Sequence, residues 1–161
     1  MPTLTRNKLL LTCSAGGHLT EMRQLFPFYS HYNRCFVTFK RPDTESLATK
    51  ERVHFIERPA RNPISTIQSF FQAWRVVSKE KPSMVISTGA DVTVPVCIAA
   101  KLQGIPIVFI ESFCRPYSKS WTGRIMQFLA NDIIYQWPQL KAAYPRGIYA
   151  GNIFTSEEVK V

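Results

Sequence analysis

The order of apolar runs and glycine turns constrains this chain more than any other feature. Short apolar runs end in turns and are followed directly by stretches with helical spacing. Lys8-Leu-Leu-Leu-Thr-Cys13 runs into Ser14-Ala-Gly-Gly17, and apolar positions then recur at Leu19, Met22, Leu25 and Phe26, a strand, a turn and a helix. Arg34–Phe39 and Arg52–Ile56 read as the next strands, with a short helical piece near residues 44–49 between them. Ile64, Ile67, Phe70, Phe71, Trp74 and Val77 form one stripe of a helix that ends before Pro82. An aromatic stripe at that spacing is usually core; with Arg75, Lys79 and Lys81 nearby, the other reading is docking on anionic headgroups. Met84–Thr88 is a strand closed by Gly89, and an Ala-rich helix from about residue 92 to 103 has Pro95 in its first turn and Gly104 at its end. The unbroken run Ile105–Ile110 suits a strand covered on both faces. Trp121, Ile125, Phe128 and Leu129 mark a further helix, and Asp132–Tyr135 and Gly147–Tyr149 the last strands. Strand and helix alternate throughout. The expected fold is α/β: one doubly wound, mainly parallel, Rossmann-like sheet, in a single domain over residues 1–161.

Composition supports a packed domain, with 45% hydrophobic and 19% charged residues in 161, enough chain to bury a core without disulfides. No apolar run approaches the length of a membrane span, and the N-terminal residues through Leu11 lack a signal-type stretch. Twenty Lys and Arg against eleven Asp and Glu give a net charge of +9. Residues 1–82 hold 13 basic and 6 acidic side chains, residues 83–161 hold 7 and 5. Such a field favours phosphates, nucleic acid or an anionic membrane surface. With no nucleic-acid motif or arginine-rich tract, nucleic acid is not an expected partner. The cysteines at 13, 35, 97 and 114 show no C-x-x-C pair, so reduced thiols in a reducing, cytosolic compartment and no metal site are expected.

In an open α/β sheet, ligands bind outside the carboxyl ends of the strands, beside helix N-termini. Three segments fall there. Ser14, Gly16, Gly17 and His18 make a glycine turn with an imidazole at the mouth of a helix, without the full G-x-G-x-x-G fingerprint of a dinucleotide site. The turn is either a bare tight turn or a place of close backbone approach to a ligand. Thr88 and Gly89 repeat the pattern, with Asp91 suited to capping the helix that follows. Glu111 and Ser112 end the most apolar strand and precede a basic, aromatic loop. An acidic residue there either marks the strand leaving the core or contacts a ligand.

Together, Cys13-Ser-Ala-Gly-Gly-His18, Ser87-Thr-Gly-Ala-Asp-Val-Thr-Val-Pro95, Ala99-Ala-Lys-Leu-Gln-Gly-Ile-Pro-Ile107 and Glu111-Ser112 resemble the acceptor-side, N-terminal half of GT-B-type glycosyltransferases. The likeness is to the family in which that half is a separate polypeptide: the acceptor-recruiting subunit of the eukaryotic dolichol-linked N-acetylglucosaminyltransferase and its bacterial counterparts in capsular and exopolysaccharide synthesis. The chain is more distantly similar to the N-terminal domain of the peptidoglycan enzyme that adds N-acetylglucosamine to a lipid-linked muramyl peptide. There the corresponding Glu-Gln-Asn is Glu111-Ser112-Phe113 here.

The resemblance implies roles by position. Ser14, Gly16, Gly17, Thr88, Gly89 and Ser112 would face the polyprenyl pyrophosphate of the acceptor, His18 would lie beside its sugar, and Glu111 would contact the sugar hydroxyls. His18 and Glu111 are the two candidates for the base that takes the acceptor proton. No cofactor is expected in this chain. A nucleotide sugar, a UDP-sugar by the resemblance, would sit mainly on a donor-binding partner subunit, since 161 residues amount to one half of such an enzyme, inactive alone. The eukaryotic subunit begins with a membrane-spanning helix that this sequence does not show, which points to a bacterial, peripheral protein on the cytoplasmic face of the membrane. Arg115, Tyr117, Lys119, Trp121 and Arg124, next to the proposed acceptor site, are the expected contacts with anionic headgroups. The other reading is a stand-alone nucleotide- or phosphate-binding module that transfers no sugar.

Overall fold

The structure, a computed structural model, describes residues 7–60 and 62–155. The reading of the first residues as lacking a signal stretch, and both ends of the 1–161 domain, therefore fall partly outside the described residues. Seven strands alternate with helices: β1 (Lys8–Cys13), α1 (Gly17–Gln24), α2 (Phe26–Tyr29), β2 (Asn33–Thr38), α3 (Pro42–Ala48), β3 (Val53–Phe55), α4 (Pro63–Glu80), β4 (Met84–Gly89), α5 (Thr93–Leu102), β5 (Ile107–Ile110), α6 (Trp121–Leu129), β6 (Asp132–Tyr135) and β7 (Ile148–Tyr149). They form one parallel sheet in the order β3-β2-β1-β4-β5-β6-β7. From β1 the chain builds outward through β2 and β3, then returns to the other side of β1 and builds outward again. The loops after β1 and β4 consequently diverge, which opens a crevice at their carboxyl ends.

Alternate residues of each strand enter opposite cores, as the two-residue repeat of a strand requires. Leu10, Cys35, Val37, Val85, Ile107 and Phe109 pack against Ala73 and Val77 of α4, Val96, Cys97 and Ala100 of α5, and Met126 of α6. Leu9, Leu11, Phe36, Ile86 and Ile110 pack against Leu19 and Met22 of α1, Tyr29 and Leu47. The apolar run ending at Ile110 is covered on both faces because both layers reach it.

Two expectations change. The single helix read from Leu19 to Phe26 is two, because Pro27 in α2 has no N–H for the Arg23 carbonyl. The α4 stripe is core only in part. Val77 is buried and Phe70 packs against the core, on a side shared with Ser69, Ala73 and Glu80, whereas Ile64, Ile67, Phe71 and Trp74 are exposed. Small side chains at 69 and 73 let α4 lie close against α5 and the sheet, and the larger apolar residues are left to the outside.

At the amino ends of the strands, the buried Glu80 carboxylate of α4 accepts from Lys8 Nζ at 2.9 Å and His54 Nε2 at 2.7 Å and forms an ion pair with Arg52 Nη2 at 2.7 Å. Burial alone works to raise its pKa, but the hydrogen bonds from Lys8 and His54 and the charges of Lys8 and Arg52 outweigh it and hold the group below its ordinary 4.5. A carboxylate depressed in the folded state contributes stability above its unfolded pKa and loses it as pH falls through the folded value. Urea unfolding followed against pH should show Glu80→Gln less stable than wild type at neutral pH by about 1–3 kcal/mol, with the gap closing below pH 4.5. A gap independent of pH would mean that Glu80 acts through packing alone.

Candidate active site

The glycine turns after β1 and β4 meet at the crevice. Gly16 has φ 77° and ψ −133°, a conformation open to glycine and costly for other residues. Its N–H donates to Asp43 Oδ2 at 2.7 Å, so the anion expected at this amide is, in this structure, the protein's own carboxylate. Ser14 is buried, its hydroxyl donating to the Ala15 carbonyl. Gly17 opens α1, followed by His18, whose Nδ1 lies 2.7 Å from the Thr88 carbonyl oxygen. A carbonyl only accepts, so Nδ1 carries the proton and a neutral ring keeps its lone pair on Nε2. The Thr88 hydroxyl donates back to the His18 carbonyl at 2.8 Å, which locks the two turns together. Gly89 has φ 105°, and a Cβ there would stand 3.3 Å from His18 Cε1; glycine is required for the close approach of the imidazole.

Asp91 does not cap α5. The turn passes through Ala90 at φ 84°, α5 begins at Thr93, and Asp91 instead accepts the Val92 N–H on Oδ1 and Arg58 Nε on Oδ2 at 3.0 Å.

Glu111 is fully buried. Oε1 accepts the Ser112 N–H at 2.9 Å, and Oε2 accepts the Ser120 N–H at 3.0 Å and the Tyr144 hydroxyl. Burial, with the hydrogen bond and charge of Glu111, pushes the Tyr144 hydroxyl far above its ordinary pKa, so it stays a donor. Ser112 is engaged too: its Oγ donates to Glu21 Oε1 at 2.9 Å. Glu21, one helical turn after His18, is itself buried and also accepts from the Phe113 N–H and from Gln136 Nε2. Carboxylates removed from water need such donors. Sequence reasoning missed Glu21, Gln136 and Tyr144. The available signals were an acidic residue three positions after His18 and a glycine, Gly123, inside an amphipathic helix.

A cavity of about 1330 Å³ lies over these groups. Its polar end holds Gly17, His18, Thr88, Gly89 and Ser112; its apolar wall is Ile67, Phe70 and Phe71 of α4, Val94, Pro95 and Ile98 around α5, and Trp121 of α6. A second cavity of about 520 Å³, lined by Ser14, Gly16, Asp43, Arg58 and Asp91, adjoins it at His18. Of the expected headgroup contacts, Arg115, Tyr117, Trp121 and Arg124 are exposed. Lys119 is half-buried; its ammonium donates to Gln127 at 2.7 Å and sits 5.0 Å from the Tyr144 ring centre.

Among the described residues, Cys35, His54 and Glu80 bring possible metal-ligand atoms within 4.8 Å of one another, at the other end of the sheet. The positive charges of Lys8 and Arg52, which already face Glu80, oppose a further cation there.

Comparison with known proteins gives the family. Residues 54–153 fit the family described as "Alg14: Oligosaccharide biosynthesis protein Alg14 like". The UDP-N-acetylglucosamine transferase subunit ALG14 of Rattus norvegicus is 37% identical over 177 residues, covering 90% of this chain and 82% of that protein. The chain belongs to the Alg14 family. A second relative of this Alg14-family chain is the UDP-N-acetylglucosamine--N-acetylmuramyl-(pentapeptide) pyrophosphoryl-undecaprenol N-acetylglucosamine transferase of Oceanobacillus iheyensis, 32% identical over 176 residues. It aligns with 96% of this chain but only 49% of its own length. The fold matches the Acinetobacter baumannii MurG crystal structure with a TM-score of 0.71 at 16% identity, over 90% of this chain and 44% of that one. The Alg14-family chain thus has the fold of one half of a GT-B-type glycosyltransferase.

Within that half, Gly123 sets how closely α6 approaches β5. A Cβ there would lie 2.1 Å from the Tyr144 hydroxyl and 2.3 Å from Glu111 Oε2. Gly123→Ala, which by helix propensity alone would stabilise by about 1 kcal/mol, should destabilise by about 1–3 kcal/mol, read as a lowered Tm. An unchanged or raised Tm would show that the Glu111–Tyr144 pair does not hold this end of the fold.

Proposed function

We propose that this chain is the acceptor-side subunit of a two-chain glycosyltransferase. It holds a polyprenyl-pyrophosphate-linked sugar at the cytoplasmic membrane surface and presents it to a partner that binds the UDP-sugar, in bacterial capsule or exopolysaccharide synthesis. The observation that carries this reading is the amphipathic cavity, in which His18 and two glycine turns continue into an aromatic and aliphatic wall. A lipid-linked sugar has the same division, with a sugar and diphosphate at one end and an isoprenoid chain at the other. The relatives named as UDP-N-acetylglucosamine transferase subunits make N-acetylglucosamine the first donor to test.

In this mechanism the acceptor hydroxyl bonds the anomeric carbon of the donor sugar while the donor's nucleoside diphosphate leaves. His18 Nε2 takes the hydroxyl proton. Its ring is aimed by the Nδ1–H bond to Thr88, so only the free lone pair faces substrate. Glu111, its oxygens occupied by Ser112, Ser120 and Tyr144, acts as a positioning residue that shapes the acceptor loop. Holding both substrates together contributes about 7–11 kcal/mol of barrier lowering in well-oriented systems, which requires the partner.

Among the described residues no helix is long and apolar enough to cross a membrane. Arg115, Trp121 and Phe71 line the cavity, and they with Tyr117, Arg124 and Trp74 are exposed, a set that suits an anionic surface, where basic residues contribute about 1 kcal/mol each.

The test is transfer by the chain co-expressed with its donor-binding partner, using UDP-N-acetylglucosamine and a polyprenyl-pyrophosphate-linked sugar. Product should need both chains, and His18→Ala should lower kcat by about 10²–10⁴ with little change in acceptor KM. Turnover by this chain alone, or phosphate-ligand binding with no transfer by the pair, would favour a stand-alone module instead.

A further inference from the structure

Arg58 belongs to neither the glycine turns nor the acceptor loop, yet it lines both cavities. It stands in the segment between β3 and α4. That segment is anchored on either side of the peptide preceding it: the Ile56 N–H donates to the Thr38 carbonyl at 2.9 Å, the Glu57 N–H to Gln72 Oε1, and the Ser69 hydroxyl to the Glu57 carbonyl. The guanidinium carbon lies 5.1 Å from the Phe39 ring centre, which limits the directions the side chain takes. Only two arginines line the larger cavity among the described residues, Arg58 and Arg115, and Arg58 alone of these reaches the smaller one, beside Gly16.

Its partner in this structure is Asp91, Nε to Oδ2 at 3.0 Å. With the Arg58 side chain 53% and the Asp91 side chain 28% exposed, the pair is of the kind that contributes about 0.2–1 kcal/mol. It is readily exchanged for a doubly charged ligand. Asp43 on the Gly16 amide is a second carboxylate in contact with a group suited to an anion. The crevice therefore presents a cation and an amide, each holding one of the protein's own carboxylates.

We infer that Arg58 is the residue that grips the diphosphate of the acceptor, releasing Asp91 to do so. This rests on the acceptor-side reading above for the identity of the ligand. The shared chemistry, a diphosphate, also occurs in the nucleotide of the donor. The acceptor is favoured because Arg58 spans from the His18 turn to the cavity with the apolar wall. Arginine suits the task through its planar, bidentate fork.

The test uses the full chain and measures binding to vesicles carrying undecaprenyl pyrophosphate, to vesicles with phosphatidylglycerol only, and to UDP in solution. Arg58→Gln should weaken binding to the pyrophosphate vesicles by about tenfold or more and leave the phosphatidylglycerol vesicles unaffected; Arg58→Lys should recover part of the loss. Asp91→Asn keeps an oxygen for the Val92 N–H but loses the ion pair, and should tighten pyrophosphate binding by about two- to fivefold. A merely structural pair would give weaker binding in both variants. Wild-type-like binding by Arg58→Gln, or weaker binding by Asp91→Asn, overturns the inference. Loss confined to UDP overturns its assignment to the acceptor. Arg58-dependent binding to pyrophosphate vesicles in a chain whose two-subunit form transfers no sugar would sink the transferase reading while leaving Arg58 as the diphosphate residue.

Discussion

The reversal of strand order between β1 and β4 is the constraint on which the other features depend. Because the two strands are neighbours whose following turns diverge, a gap opens between the turn after β1 and the turn after β4. The paired strands keep the turns in register until Cys13, where the pairing slips to Gly89. His18 then fills the gap, held from one turn to the other by its ring and its carbonyl. The two halves of the sheet need not move for these atoms to come together. Reciprocal bonds of this kind fix a side chain more firmly than either alone, since neither turn can shift without breaking both.

A second layer of order comes from two buried carboxylates with no basic side chain bonded to them among the described residues. Glu21 and Glu111 take their donors from Ser112, Phe113, Ser120, Gln136 and Tyr144, so one network joins α1, the end of β5, the start of α6 and the segment after β6. Ion pairs could have satisfied the same charges, but backbone N–H and hydroxyl donors bring no second charge to desolvate. The cavity floor is consequently rigid where the loop from Phe113 to Lys119 leaves it.

Most of the fold was legible because the central strands β1, β4 and β5 are buried on both faces and are punctuated by glycine or proline. Of the residues named from the turns, His18, Gly17, Thr88 and Gly89 line one cavity and Ser14 and Gly16 the adjoining one, because turn chemistry is local. What was not legible depended on distance in sequence. Glu21 meets Gln136 across 115 positions, and Tyr144 meets Glu111 across 33; no periodicity carries such pairs. The α4 stripe was read correctly only at Phe70 and Val77, for a related reason. Spacing identifies an apolar face, but small residues at 69 and 73 decide which face can come close enough to pack.

That misreading bears on how the cavity is used. α4 turns Ile67 and Phe71 toward the cavity and leaves Ile64 and Trp74 exposed nearby, and Trp121 stands exposed across from them on α6. Water against such side chains costs about 25 cal/mol for each Å² of apolar surface, a penalty the fold could have removed by burying the stripe. Instead the buried side of α4 holds Ser69, whose hydroxyl bonds the Glu57 carbonyl, and Glu80, which ties the far end of the sheet. Both polar anchors would lose their partners if the helix rolled its aromatic stripe inward. Retaining them keeps the apolar wall open, and on the acceptor-side reading an isoprenoid chain or a membrane surface is what covers it.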